Sequence, residues 1–360
     1  MKIFADLATD VEAQWSKAAH SLAAFPEIAT TALKDFKYRL SKDEFDKALS
    51  EWLLQTKPLP EQINVHNTFG QPPVTVFNNG RFVVDIYIWL NFDTSIHSHG
   101  FRGAFKVLHG KSLQEDFKPK TLKTYAPDTE QTELGTPEMS LLFPGDVRTI
   151  APGKDLTHRV IHLENPTVTL CVKTINEPSL RQWNYFPNGL AIQKRSISGG
   201  LVKSLYYFQY LMGQNPTTGM KFLSQLLDQT DLSLQMNLCE EISGGAYSLN
   251  EGMAEFILDQ VYQRHSETEW FKNYEQLMEL AEAELHFEHT DVASERLLAH
   301  FVNCKYSAET ALPLLAALAS APFSEDDMED LLGRLVEDPR LFGSGEGPNE
   351  AQALKIREFK

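Results

Sequence analysis

Ile96-His97-Ser98-His99-Gly100-Phe101-Arg102-Gly103 carries two histidines two residues apart. It directly follows Arg81-Phe82-Val83-Val84-Asp85-Ile86-Tyr87-Ile88-Trp89-Leu90, a run of β-branched and aromatic residues with strong strand character. A strand places residues i and i+2 on the same face. His97 and His99 are therefore expected to point the same way, toward one metal ion. His158 opens another strand-like run farther along and is the candidate third ligand. His162 has the same parity and competes with it, but lies four residues along, about 13 Å at strand rise.

The sequence changes character on either side of these histidines. Residues 1 to 60 read as helix: apolar residues recur at three- and four-residue steps from Val11 through Phe25, and Ser41-Lys42-Asp43-Glu44 is a capping-box pattern ahead of Phe45, Leu49, Trp52 and Leu53. Residues 61 to 198 alternate short Val/Ile/Phe/Thr-rich runs with turn clusters: Asn78-Asn79-Gly80, His109-Gly110, Phe143-Pro144-Gly145-Asp146, Ala151-Pro152-Gly153 and Glu164-Asn165-Pro166. That pattern predicts an antiparallel sandwich or barrel. Residues 199 to 360 return to helix, with a second capping-box pattern at Ser266-Glu267-Thr268-Glu269 and a tail, Gly343 to Pro348, that reads as flexible. The expected class is α+β: an N-terminal helical segment, a central β-barrel and a C-terminal all-α domain.

Composition excludes several function classes. A net charge of -16 argues against a nucleic-acid binder. Three scattered cysteines, Cys171, Cys239 and Cys304, do not make a disulfide framework and suit a reducing cytosol. The N-terminus lacks a signal-peptide apolar core, and no run approaches a membrane span. The expectation is a cytoplasmic protein acting on a small molecule, with its helical region open to a subunit or protein partner.

The order of parts is a strand, then His97-Ser98-His99, then Gly103-Ala104-Phe105-Lys106-Val107-Leu108-His109-Gly110, then Leu141 to Asp146, then Thr157-His158-Arg159-Val160 and Val168 to Val172. It resembles the two motifs of the cupin superfamily, whose small barrel, a double-stranded β-helix, brings an HxH pair and a lone His together. A Glu usually follows the pair by four or five residues, and here those positions hold Gly103 and Ala104. Within the superfamily the pattern is similar to the three-histidine thiol dioxygenases that act on cysteine, cysteamine or mercaptopropionate, over residues 81 to 175. That resemblance implies Fe(II) held by His97, His99 and His158, with O2 and a small thiol or other chelating anion as reactants. Imidazole donors also suit Zn, Cu and Ni, so a Zn, Ni or Mn cupin acting as isomerase or hydrolase is the alternative enzyme. A non-catalytic metal-binding cupin whose helical domain binds a partner is the non-enzymatic alternative.

The sequence also departs from that family. The strand that carries Ser, His and Tyr at alternate positions in its best-known branch here carries Thr169, Cys171 and Lys173. The substrate-gripping Arg upstream is missing across Asn67 to Pro73, and the position of a crosslinking Cys aligns with Gly103. Free cysteine is therefore a poor substrate candidate. Replacements come from the strand before the histidines. Phe82, Val84, Ile86, Ile88 and Leu90 share one face, which calls for a packing layer, whereas Asp85, Tyr87 and Trp89 share the other. Tyr87 and Lys173 are the expected catalytic pair, with Asp85 as the partner a buried lysine needs. Arg102, Trp89, Cys171 and Thr169 are the expected substrate-binding residues. Packing is the alternative role for Tyr87 and Trp89, and solvent exposure for Arg102.

The other histidines carry weaker signals. His109 reads as a turn residue, and His20, His66, His265 and His300 show no partner pattern. Glu282, Glu284, His286, Glu288 and His289 include one Glu-x-x-His spacing, but a helical dimetal site needs a second copy and none is present. A solvated acidic helix face is the expectation there.

Overall fold

The computed structural model describes the chain except residues 1, 64–72, 91–93, 176, 178, 244–247, 274–289, 291, 320–321, 343–347 and 360. The Glu282–His289 cluster, the segment from Asn67 to Pro72 and most of the Gly343–Pro348 tail thus lie outside the described residues. Three helices come first, α1 (Lys2–Lys17), α2 (Phe25–Asp35) and α3 (Lys42–Gln55). Strands follow: β1 (Val74–Asn78), β2 (Phe82–Trp89), β3 (Ile96–His99), β4 (Gly103–His109), β5 (Ser112–Phe117), β6 (Lys120–Ala126), β7 (Thr129–Glu133), β8 (Glu138–Leu142), β9 (Val147–Ile150), β10 (Gly153–His162), β11 (Thr167–Thr174), β12 (Trp183–Tyr185) and β13 (Leu190–Gln193). The remaining described helices are α4 (Gly199–Gln214), α5 (Pro216–Asp228), α6 (Leu232–Ser243), α7 (Glu251–His265), α8 (Ala293–Asn303), α9 (Ala308–Ala319), α10 (Glu325–Glu337) and α11 (Glu350–Glu358).

The chain forms two compact units that interleave along the sequence: residues 1–117, 136–180 and 280–360 make one, and residues 118–135 and 181–279 the other. These units cut across the three consecutive segments expected from composition, because the last helices pack on the sheet of the first unit. Among the described residues no helix is long and apolar enough to cross a membrane.

In the first unit, β1-β2-β11-β4-β9 form a five-stranded antiparallel sheet, and β3, β10, β5 and β8 run in that order, antiparallel, in a second sheet. The Gly80 turn closes the β1–β2 hairpin, whereas the Gly110 and Gly145 turns carry the chain from one sheet to the other; all three glycines have positive φ, where a side chain is disfavoured. The two faces of the five-stranded sheet divide by strand period. Phe82, Val84, Ile86, Ala104, Leu108, Val168, Leu170 and Val172 pack with Phe4, Leu7, Val11, Trp15, Phe25, Leu33, Phe45 and Leu49 of α1, α2 and α3. This is the layer the apolar face of β2 required, although the strand stops at Trp89 and Leu90 is exposed. Lys106 lies on that apolar face and reaches through it, donating to the carbonyls of Leu33 at 2.9 Å and Phe36 at 2.8 Å. These are carbonyls at the end of α2, where a cation is favoured.

The outer face of β5 and β10 carries Leu113 and Ile161, which join Leu297, Leu298, Phe301 and Val302 of α8 and residues of α9, α10 and α11 in a second core. The capping box that stops fraying at α3 is present at Ser41 and Glu44, and another stands at Ser324 and Asp327 ahead of α10. Ser266, expected to open a helix, is the residue that follows α7, and helix resumes three residues on at Glu269, which pairs with Lys123. In the second unit, β6, β7, β13 and β12 pair in that order, antiparallel. Helices α4, α5, α6 and α7 share an apolar core built on Leu205, Phe208, Leu223, Leu227, Ile257 and Val261.

Candidate metal centre

The inward faces of the two sheets of the first unit meet on Tyr87, Trp89, Phe105, Val107, Leu142, Ile150 and Cys171, with Phe101 beside them. Three histidines sit against this lining. His97 and His99 lie on β3, two residues apart and on one face, and β10 sets His158 directly opposite His97 in the antiparallel register. The ring centroids form a nearly equilateral triangle, 4.8 Å between His97 and His99 and 4.9 Å from each of them to His158. One ligand nitrogen from each ring lies within 4.8 Å of the others, and all three side chains are buried. Among the described residues this is the one cluster of three or more His, Cys, Asp or Glu donors with such spacing.

The donor chemistry fits a metal ion. His97 Nδ1 lies 2.8 Å from the Ser95 carbonyl. A carbonyl only accepts, so Nδ1 carries the hydrogen and Nε2 carries the lone pair. His99 Nε2 and His158 Nε2 stand 2.9 Å apart. Burial first, and then His97, His158 and Lys173, hold the His99 imidazole well below its ordinary pKa. Burial and His97 do the same for His158. Both rings are thus kept neutral, the form that ligates.

Gly103 explains why no carboxylate joins them. A Cβ at this position would stand 2.0 Å from the Val172 carbonyl oxygen and 2.9 Å from Lys173 Cα. Strand β4 pairs so closely with β11 here that neither a Glu nor a Cys side chain fits.

His162 is a separate group. It stacks on Trp89 with ring centroids 4.4 Å apart, and Ser112 Oγ lies 3.0 Å from its Nδ1. Burial lowers its pKa to about 3, with Arg296 adding to the effect, so it stays neutral in the lining. His109 ends β4 rather than sitting in the turn, and its Nε2 lies 2.6 Å from Tyr38 Oη on the helix-covered side of the sheet.

The expected catalytic pair is in contact. Lys173 Nζ donates to Tyr87 Oη at 2.5 Å and lies 2.9 Å from Asp85 Oδ2, while Thr75 Oγ1 donates to Asp85 Oδ1 at 2.8 Å. The register places these side chains together: Cys171 pairs with Asp85, and Thr169 with Tyr87, across β2 and β11. Burial works against the Lys173 charge, but Tyr87 and Asp85 outweigh it and hold its pKa above the ordinary lysine value. Burial keeps the Tyr87 phenol protonated well above its usual range, against the pull of Lys173.

Lys173 Nζ also stands 5.1 Å from the Phe101 ring centroid, and Phe101 lies 4.9 Å from the His99 ring. The chain from lysine to histidine is therefore continuous through an aromatic face. Trp89 Nε1 donates to Thr169 Oγ1 at 3.0 Å, and burial pushes the Cys171 thiol up to about 12. Arg102 is committed elsewhere: its Nε donates to both Glu177 oxygens, at 2.9 and 3.1 Å.

One polar cluster escaped the sequence reading. On the opposite face of β10 and β5, Arg159 and Glu115 pair with each other and with His300, Cys304 and Tyr306. The four-residue spacing of His300 and Cys304 on a helical run was the available signal, and the alternation of Arg159 with His158 was the other.

No family model matches this chain, and no curated protein matches it. Solved structures similar to parts of it include a hydroquinone 1,2-dioxygenase in complex with Cd2+ and 4-hydroxybenzonitrile, at 20% identity and a TM-score of 0.22, over 29% of this chain and 63% of that one. The chain thus spans less than two thirds of that protein. A hydroquinone 1,2-dioxygenase from Sphingomonas sp. TTNP3 with 4-hydroxybenzoate bound is similar at 14% identity and a TM-score of 0.25, over 40% and 87% of the two chains. A sugar phosphate isomerase of the cupin superfamily from Silicibacter pomeroyi is similar at 12% identity and a TM-score of 0.22, over 36% and 80%. Likeness at this level transfers neither substrate nor reaction to the present chain.

Proposed function

We propose that this protein is a cupin oxygenase in which His97, His99 and His158 hold Fe(II) and a small thiol or other chelating anion is oxidised with O2. The observation that carries the reading is the donor set: three buried imidazoles converging, with no carboxylate among the described residues of the cluster. Bound there, Fe(II) would supply redox chemistry toward O2 while keeping its full positive charge.

Charge bookkeeping in the lining supports the substrate class. Lys173 is already matched by Asp85, and Arg102 by Glu177. An incoming anion therefore finds its uncompensated partner at the histidine centre, which favours a thiolate that binds there over a substrate gripped by a distant carboxylate. Tyr87 holds a proton at Oη in the lining, and Lys173 fixes the orientation of the phenol. Trp89, Thr169 and Cys171 form an apolar wall that excludes water.

Metal analysis of protein purified without oxygen, followed by O2 uptake with cysteine, cysteamine and 3-mercaptopropionate, tests the proposal. Iron at close to one per chain and thiol-dependent uptake are expected. Protein that carries zinc and consumes no O2 with any thiol would overturn it and favour a zinc cupin of the isomerase or hydrolase kind. If uptake occurs but Tyr87→Phe and Lys173→Met both leave it unchanged, the roles given to those two residues are wrong.

A further inference from the structure

Two of the three cysteines, Cys171 and Cys239, are buried, and Cys304 is half-buried. It caps the end of α8, half-buried, with three charged groups around it. Arg159 Nη2 donates to Cys304 Sγ at 3.1 Å. Both ring nitrogens of His300 lie 3.8 Å from the sulfur, and His300 Nε2 is 3.1 Å from Glu115 Oε1. Glu115 Oε2 in turn accepts from Arg159 Nε at 2.6 Å, and Tyr306 hydrogen-bonds to Glu115. The arrangement is a nucleophile, an imidazole beside it and a carboxylate that orients the imidazole.

We propose that Cys304 is a modification site, a thiolate that reacts with small electrophilic oxidants such as hydrogen peroxide. The charges favour the thiolate. Arg159 is permanently cationic. His300 Nε2 faces the Glu115 carboxylate at 3.1 Å, which favours the imidazolium. Against these two cations Glu115 supplies one anion, and a Cys304 thiolate supplies the second. A neutral thiol would leave an uncompensated positive charge in a largely buried cluster.

The groups facing the sulfur are Arg159 from β10, Glu115 from β5, His300 from α8 and Tyr306 just beyond it. Burial by itself raises the Cys304 pKa, and His300 and Arg159 bring it below the ordinary thiol value. Burial pushes Cys171 and Cys239 up to about 12.

In the reaction the sulfur attacks one peroxide oxygen. An S–O bond forms, the O–O bond breaks, and hydroxide leaves. His300 is placed to give that hydroxide its proton, releasing water. The sulfur is oxidised to the sulfenic acid and the peroxide is reduced. This proposal does not depend on the metal reading, since the cluster lies on the opposite face of β10.

The full-length protein is exposed to hydrogen peroxide with dimedone present, and adducts are located by peptide mass spectrometry. Labelling of Cys304 at least tenfold faster than of Cys171 and Cys239 is expected, with a tenfold or greater slowing in Arg159→Met. Equal labelling of the three cysteines, or none at Cys304, overturns the proposal. A second measurement needs no variant. The rate of alkylation of wild-type Cys304 by iodoacetamide should fall less from pH 9 to pH 7 than that of an ordinary thiol with pKa about 8.5, which loses most of its thiolate over that range. A rate that falls in this ordinary way also overturns it.

Discussion

Lys173 Nζ lies 2.9 Å from Asp85 Oδ2, with both side chains almost wholly buried. Breaking a buried pair strands the surviving charge, at a cost of about 3–5 kcal/mol. Lys173→Met should therefore lower stability by that order in a denaturant titration. Asp85→Asn added to Lys173→Met should recover much of the loss. A double variant as unstable as the sum of the two single ones would show that the two groups do not act as a pair.

His99 and His158 present their Nε2 atoms to each other, whereas His162 stacks on Trp89. Metal content measured by mass spectrometry should drop at least tenfold in His99→Ala and in His158→Ala. In His162→Ala it should stay near the wild-type level, with a stability loss of about 1–3 kcal/mol from the lost packing. Retained metal in His158→Ala with loss in His162→Ala would reverse the assignment.

Gly103→Ala pushes a methyl group to within 2.0 Å of the Val172 carbonyl oxygen, so β4 and β11 must separate. Overpacking of this kind costs about 1–3 kcal/mol, and backbone on one side of the clash leaves no flexible side chain to yield. The urea midpoint should fall accordingly. An unchanged midpoint would mean that the two strands do not approach this closely.

The Glu115–His300 contact makes stability depend on pH. Burial alone would lower the His300 pKa, but Cys304 and Glu115 raise it to about 9. Its folded value is above the unfolded one, so its contribution is complete below about pH 6.5 and is lost as pH rises through 9. Burial raises Glu115, but His300 and Arg159 outweigh it and bring it down to about 2. Its contribution is complete above about pH 4.5 and is lost as pH falls toward 2. Cys304, whose folded pKa is lowered, contributes with the opposite sign between about pH 7 and 9, so the His300 loss is read above that range: the unfolding free energy should be lower at pH 10 than at pH 9 by up to about 1 kcal/mol. His300→Gln should flatten that alkaline loss.

Much of the site could be read in advance because strand geometry is local. The period of two put Asp85, Tyr87 and Trp89 on one side of β2, and Thr169, Cys171 and Lys173 on one side of β11. It required a covering layer for Phe82, Val84 and Ile86, and α1, α2 and α3 provide it. The pair His97 and His99 needed nothing beyond the same rule. Partner choice was another matter. Arg102 is close in sequence to the histidines, yet it pairs with Glu177, a residue no local rule could nominate. His158 was preferred to His162 only through the family resemblance, and the antiparallel register sets His158 against His97. The last helices also defeated composition: they read as part of a separate helical domain, and Leu297 and Phe301 pack on Leu113 and Ile161.

The sequence by itself determined which side chains share a face and where the strands turn, since both follow from backbone geometry over a few residues. It also determined that no side chain projects from position 103, since that residue is glycine. Only the tertiary structure decided which faces meet. That choice depends on long-range register between β3 and β10, between β2 and β11, and between β5 and α8. It set the three imidazoles together, matched Lys173 to Asp85, and on the far side of β10 assembled Cys304, His300, Glu115 and Arg159 from three separated stretches of chain.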